Sequence, residues 1–192
     1  MKHAIWMAAL LLLTGVALGA TVTEPHSKTG FPASIELGEG DSAVQLDALG
    51  TGLRKKSIIK VYAACFYIAR GQELGEDRAA DAIHGDFAKR IDMYFLRKVG
   101  GAKIAGGFRD GVHKSLDGHD EALEAFCAMF TGKVQKHESI VLEYLPGRGL
   151  EAYQGGKSLG LVTDMDLIAA LWATWFGADP VGEELKKGLL AL

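Results

Sequence analysis

Residues 57–69 read SIIKVYAACFYIA, a run crowded with β-branched and aromatic side chains and free of proline. Such residues lose rotamer freedom in a helix and pack well on a pleated surface, so the segment is expected to be a long, largely buried strand. Its predecessor, residues 44–53, has the same character and is expected to pair with it through a basic turn at Arg54-Lys55-Lys56. A further strand at residues 33–37 lies upstream, beyond the turn-rich Gly38-Glu39-Gly40-Asp41. Consecutive strands joined by tight turns make an antiparallel sheet.

Downstream, a short helix is expected over residues 77–84 and a strand over 89–97 (KRIDMYFLR). Residues 101–115 read as a helix, although Gly106, Gly107 and Gly111 each weaken it by about 1 kcal/mol relative to alanine. A second helix over 119–130 is expected to end at Gly132 as its cap. Strands follow at 138–145, 150–154 and 158–162, the last two joined by the hairpin turn Gly155-Gly156. Thr163 or Asp164 is expected to cap a helix running to residue 176, with Gly177 after it, and Pro180 to open a final helix over 181–190. Strands and helices that do not strictly alternate indicate an α+β domain.

The N-terminus bears on compartment. Met1-Lys2-His3 is basic, residues 4–18 are apolar except for Thr14 and Gly15, and Ala17-Leu18-Gly19-Ala20 supplies a small-residue exit. This is the pattern of a secretory signal peptide over residues 1–20. Its apolar run is shorter than the roughly 20 residues that span a bilayer, and no later segment is long and apolar enough to cross one. Residues 21–192 are then the mature domain, expected to be periplasmic or secreted, with no transmembrane segment after cleavage. Losing Lys2 moves the formal charge from −3 to about −4, and an acidic balance argues against nucleic acid. The densest basic cluster, Arg54, Lys55, Lys56 and Lys60, reads as a solvated hairpin end.

Motifs for catalysis and cofactors are absent. His84, His113, His119 and His137 show no paired metal-ligand spacing, and there is no C-x-x-C-H, G-x-S-x-G, P-loop or G-x-G-x-x-G sequence, so neither cofactor nor metal is expected. Gly100-Gly101 and Gly106-Gly107 read as close packing, Tyr67 as core or sheet-edge packing, and Trp172 and Trp175 as core or as a partner surface. Cys65 and Cys127 are the two cysteines. An oxidising compartment permits a bridge between them, but both lie in apolar segments where free cysteine packs as a small hydrophobe.

Three segments together resemble the chalcone isomerase-like family: Gly52-Leu53-Arg54 with residues 60–68 (KVYAACFYI); residues 93–97 (MYFLR) leading into the helix at Gly101; and Gly160-Leu161-Val162 with the helices on either side of Pro180. The resemblance is closest to a bacterial exported, non-catalytic branch. It implies an open-faced β-sandwich in which an antiparallel sheet is covered by a layer of helices, with a ligand cleft between the layers. The plant isomerases of the family use an arginine, matched here by Arg54, and a strand threonine, where this chain has Tyr62. They also use a tyrosine, a lysine and an asparagine on the following helix, where Ile104, Gly107 and Gly111 stand. Isoleucine and glycine cannot move a proton or polarise a ketone, so chalcone isomerase activity is not expected.

The family's fatty-acid-binding branch holds a carboxylate with an arginine and a tyrosine at these two positions. The resemblance therefore implies a head-group clamp of Arg54 and Tyr62, with an apolar lining from Ile91, Met93, Phe95, Ile104, Phe108, Leu167 and Leu171. The residues alone allow a plainer account, in which Arg54 is a surface turn residue and Tyr62 a half-buried strand aromatic. Three functions follow: a periplasmic binding protein for a fatty acid or similar small apolar or amphiphilic ligand, an accessory protein acting through its surface beside an envelope partner, and an isomerase-like enzyme on a non-flavonoid substrate.

Overall fold

The computed structural model describes residues 19–38 and 43–192. The leader falls outside the described residues up to residue 18, as does most of the expected Gly38–Asp41 turn.

Seven strands form one antiparallel sheet: β3 (Ser34–Leu37), β4 (Val44–Lys56), β5 (Ile59–Ala69), β6 (Lys89–Phe95), β9 (Ser139–Leu145), β10 (Gly149–Gln154) and β11 (Lys157–Val162), in the order β11-β10-β9-β6-β5-β4-β3. Five helices complete the α+β architecture: α1 (Arg78–His84), α2 (Gly101–Val112), α3 (Asp120–Ala128), α4 (Met165–Phe176) and α5 (Glu183–Leu189). Two small ladders were not legible in the sequence. One pairs β1 (Thr21–Thr23) with β2 (Gly30–Pro32), the other β7 (Val99–Gly100) with β8 (Lys133–Val134).

The sheet has two unlike faces. Along β6, Lys89, Ile91, Met93 and Phe95 are buried on the inner face while the intervening residues are less so, the period-2 signature of a sheet with one fully packed side. The inner face meets α4, whose Trp172 and Phe176 close on Phe66 of β5 at ring distances of 5.9 and 4.7 Å. The outer face carries a second, smaller core of Phe31, Leu37, Leu46, Ala63, Cys65 and Tyr67. The β1–β2 hairpin contributes Phe31 to it, and the Tyr67 hydroxyl donates to the Pro32 carbonyl at 3.1 Å. Further along that face Arg90 bonds to Asp92 and Glu143. Cys65 and Cys127 are both free and buried, each in a different one of the two cores. The sheet stands between them, and burial pushes the Cys65 thiol up to about 12.

Three expectations about element ends need correction. The β4–β5 turn is not at Arg54-Lys55-Lys56; both strands continue and the chain reverses at Ser57-Ile58, where Ser57 takes φ 55°. Charge on its own does not break a ladder, and those three side chains tolerate extended backbone. Helix α3 is capped at Met129, and Gly132 instead accepts a hydrogen bond from the Gly101 N–H at 2.6 Å. Helix α5 starts after Gly182 rather than at Pro180, because the Val181 N–H is engaged by the Thr174 carbonyl.

Lys89 is buried, and its ammonium donates to the carbonyls of Ala82 at 2.9 Å and Gly85 at 3.0 Å at the end of α1, with Phe87, Tyr144 and Trp172 rings around it. Burial pushes its pKa down from 10.5 to about 8. Between those pH values the unfolded chain binds more protons than the folded one, so this group makes stability rise with pH. Wild type should therefore gain stability relative to Lys89→Met as pH is raised from about 8 to 10.5. Melting curves that stay parallel across that range would contradict it.

Candidate functional site

Register brings the first two site residues together. Arg54 of β4 lies directly opposite Tyr62 of β5, and such cross-strand pairs hold their Cβ atoms about 4.5–5.5 Å apart. The register then slips between Arg54 and Lys55, so that Lys55 faces Lys60 and Val61 has no partner on β4. This bulge turns both Val61 and Tyr62 toward the helix layer.

Between that end of the sheet and α2 lies a cavity of about 700 Å³. Arg54, Tyr62, Met93, Phe95, Ile104 and Phe108 all line it. Ile91, Leu167 and Leu171 do not. They are fully buried in the solid core at the other end of the inner face, where Ile91 pairs with Phe66 beneath α4. Apolar character identified them as inner residues but not which end of the sheet the cavity occupies.

The Tyr62 hydroxyl accepts a hydrogen bond from the Trp175 indole N–H at 3.1 Å, so its own proton remains to be donated. Burial pushes its pKa up to about 12, against smaller opposing effects of Trp175 and Arg54; the phenol is a neutral donor throughout the physiological range. Its ring lies 5.5 Å from that of Phe95. The Arg54 guanidinium bonds the Lys55 carbonyl and lies beside Gly182 at the start of α5. No carboxylate pairs with it among the described residues.

The rest of the rim was not legible in the sequence. Lys56, Arg97, Lys98 and Lys103 join Arg54 around the cavity, and the only carboxylate lining it is Asp110. None of these five cations is in an ion pair among the described residues. On a chain with net charge −3, a positive, unpaired rim over an apolar floor offers complementary charge to an anionic group and apolar surface to a hydrocarbon.

Helix α2 shapes the floor by what it lacks. A Cβ at Gly106 or Gly107 would meet nothing within 4 Å, and both residues line the cavity, so the expectation of close packing there is wrong. Gly100 is likewise open, whereas Gly101 does pack tightly, its added Cβ falling 2.1 Å from the Phe130 carbonyl oxygen. Gly111 allows α2 to cross α4: a Cβ there would lie 2.5 Å from the Thr174 hydroxyl.

His119, Asp164 and Asp166 come together at the start of α4, with ligand atoms within 4.8 Å of one another. Local structure accounts for the group. One Asp164 oxygen caps α4 by accepting the N–H groups of Asp166 and Leu167, each at 3.0 Å, and the other meets His119 at 2.9 Å.

A family model described as chalcone isomerase-like matches residues 27–191. Among solved structures, a fatty-acid binding protein of Arabidopsis thaliana is similar with a TM-score of 0.73 and 25% sequence identity, over 89% of this chain and 96% of that one. No curated protein matches the chain.

Proposed function

Because this chain belongs to the chalcone isomerase-like family, we propose that it is a non-catalytic binding protein for a fatty acid or a similar amphiphile. The observation that carries this reading is the cavity itself: Arg54 and Tyr62 side by side at a cationic rim, above a floor of Met93, Phe95, Ile104 and Phe108. Arginine presents a planar fork that meets a carboxylate in two places, and a tyrosine donor fixes the second oxygen. Burying ten methylenes contributes on the order of 8 kcal/mol gross at about 0.8 each. The tail thus sets most of the affinity and the clamp sets the orientation.

Titration calorimetry with a fatty acid and the fatty alcohol of equal length tests it. The acid should bind more tightly by about 1.5–3 kcal/mol, the scale of a hydrogen bond to a charged group. Equal affinities would remove the clamp. Binding of neither would shift the reading to an accessory protein acting through its surface beside an envelope partner.

Catalysis on a chalcone is not part of this function. Ile104 and Gly107 put no polar group into the cavity, and Gly111 has no room for one against Thr174. The purified protein should leave chalcone cyclisation at its background rate; an acceleration abolished by Arg54→Ala would overturn this and favour the enzyme reading.

We also propose, on the leader-like sequence of residues 1–20 alone, that the protein works in the periplasm or outside the cell after their removal. N-terminal sequencing of the exported protein should begin at Thr21, or at Ala20 if cleavage falls one residue earlier. Recovery of the full-length chain in the inner membrane would refute that.

A further inference from the structure

The β4–β5 hairpin ends in an exposed apolar step. Ile58, at the turn, is 91% exposed and Ile59 46% exposed. Burying an isoleucine side chain is favourable, yet folding leaves Ile58 almost wholly and Ile59 about half in water, so the apolar tip is available to an outside surface. Lys55 and Lys56 flank the tip on one strand and Lys60 on the other, all exposed. The tip is also held firmly: it closes the most extensively paired ladder of the sheet, and the Lys60 ammonium donates to the His26 carbonyl at 2.6 Å.

We infer that this hairpin tip docks on an anionic lipid surface, with Ile58 and Ile59 entering the acyl boundary and Lys55 and Lys56 lying among the head groups. Charge complementarity selects that occupant. The chain carries a net charge of −3, yet the cations of the tip and of the neighbouring cavity rim gather at one end. An anionic membrane therefore attracts this end and repels the remainder, which orients the approach. Two isoleucines and a few lysines make a reversible contact rather than an anchor.

The tip is continuous with the cavity, since Lys56 and Ile59 line it too. An acyl chain leaving the cavity beside Ile59 passes into the bilayer without crossing water. This inference rests on the proposed lipid ligand for its purpose only; the docking chemistry stands by itself.

Sedimentation with vesicles, using the mature protein without added fatty acid, tests it. The protein should co-sediment with vesicles of phosphatidylglycerol mixed into phosphatidylcholine, much less with phosphatidylcholine alone, and less as salt shortens the Debye length. Ile58→Asp should weaken the association about tenfold or more, and Lys55→Gln about fivefold. The Ile58 side chain lies outside the fold, so Ile58→Asp should keep the wild-type melting temperature and an unchanged calorimetric affinity for fatty acid. Co-sedimentation that ignores vesicle charge, or survives Ile58→Asp, overturns the docking surface. So does a dimer lost in Ile58→Asp without vesicle binding, which would make a second copy the occupant. Loss of fatty-acid binding with vesicle association intact would refute the ligand reading and leave the docking surface standing.

Discussion

Arg54→Ala is expected to weaken binding of a long-chain fatty acid by about 1.5–3 kcal/mol while leaving the affinity for the matching alcohol nearly unchanged. The guanidinium has no carboxylate partner of its own among the described residues, and Arg54 stands opposite Tyr62 across the ladder, both lining the cavity. Removing it takes away the charge that meets the carboxylate but no packing that the fold relies on, so the melting temperature should hold. Tyr62→Phe should cost less binding, about 0.5–1.5 kcal/mol, because a single neutral donor is lost. Its stability, in contrast, should fall by about 1 kcal/mol or more, since the buried Trp175 N–H loses its acceptor. A melting temperature shared by Tyr62→Phe and wild type would show that Trp175 finds another partner. Equal losses for acid and alcohol in Arg54→Ala would show that the arginine shapes the cavity without holding a head group.

The second large effect is on stability. Gly50→Ala is expected to destabilise the fold by about 2–3 kcal/mol, near the upper end for forcing atoms into a packed interface. Helix α5 rests directly on the backbone of β4. A Cβ at Gly50 would fall 2.2 Å from the Gly188 carbonyl oxygen and 2.8 Å from that of Leu189, and one at Gly52 would fall 2.9 Å from that of Leu185. Backbone oxygens cannot rotate aside as a long side chain can, so α5 must lift as a unit. For a domain of this size the melting temperature should drop by roughly 4–12 °C. The same lift would displace Gly182 from beside Arg54, so fatty-acid affinity should decline with it. A Gly50→Ala protein as stable as wild type would mean that α5 is far less tightly seated than these distances indicate.

Strand identity was legible because β-branched and aromatic runs such as residues 59–69 state it locally. The β1–β2 ladder was not, because its three-residue strands are held by tertiary partners, Tyr67 and the outer core, that no local pattern announces. The clamp pair came into view only through family resemblance; nothing in spacing alone distinguishes Arg54 from a surface arginine. Ile91, Leu167 and Leu171 were assigned to the cavity wrongly because hydrophobic periodicity reports which side of an element is buried and not whether space is left there. Trp175 and Lys103 were missed because their meeting with Arg54 and Tyr62 depends on how α4 and α2 cross the sheet, and Arg97 and Lys98 because the turn after β6 is brought to the cavity by tertiary packing.

Gly106 and Gly107 leave the wall of the chamber blank on the face of α2 that looks into it. A blank is the cheapest feature for a lineage to rewrite. A single base change in a glycine codon gives alanine, whose added carbon meets open space there instead of a clash. If the ligand is the proposed amphiphile, relatives and engineered descendants can therefore retune how long a tail the chamber accepts, one substitution at a time, with Arg54, Tyr62, the helix and the sheet left where they are.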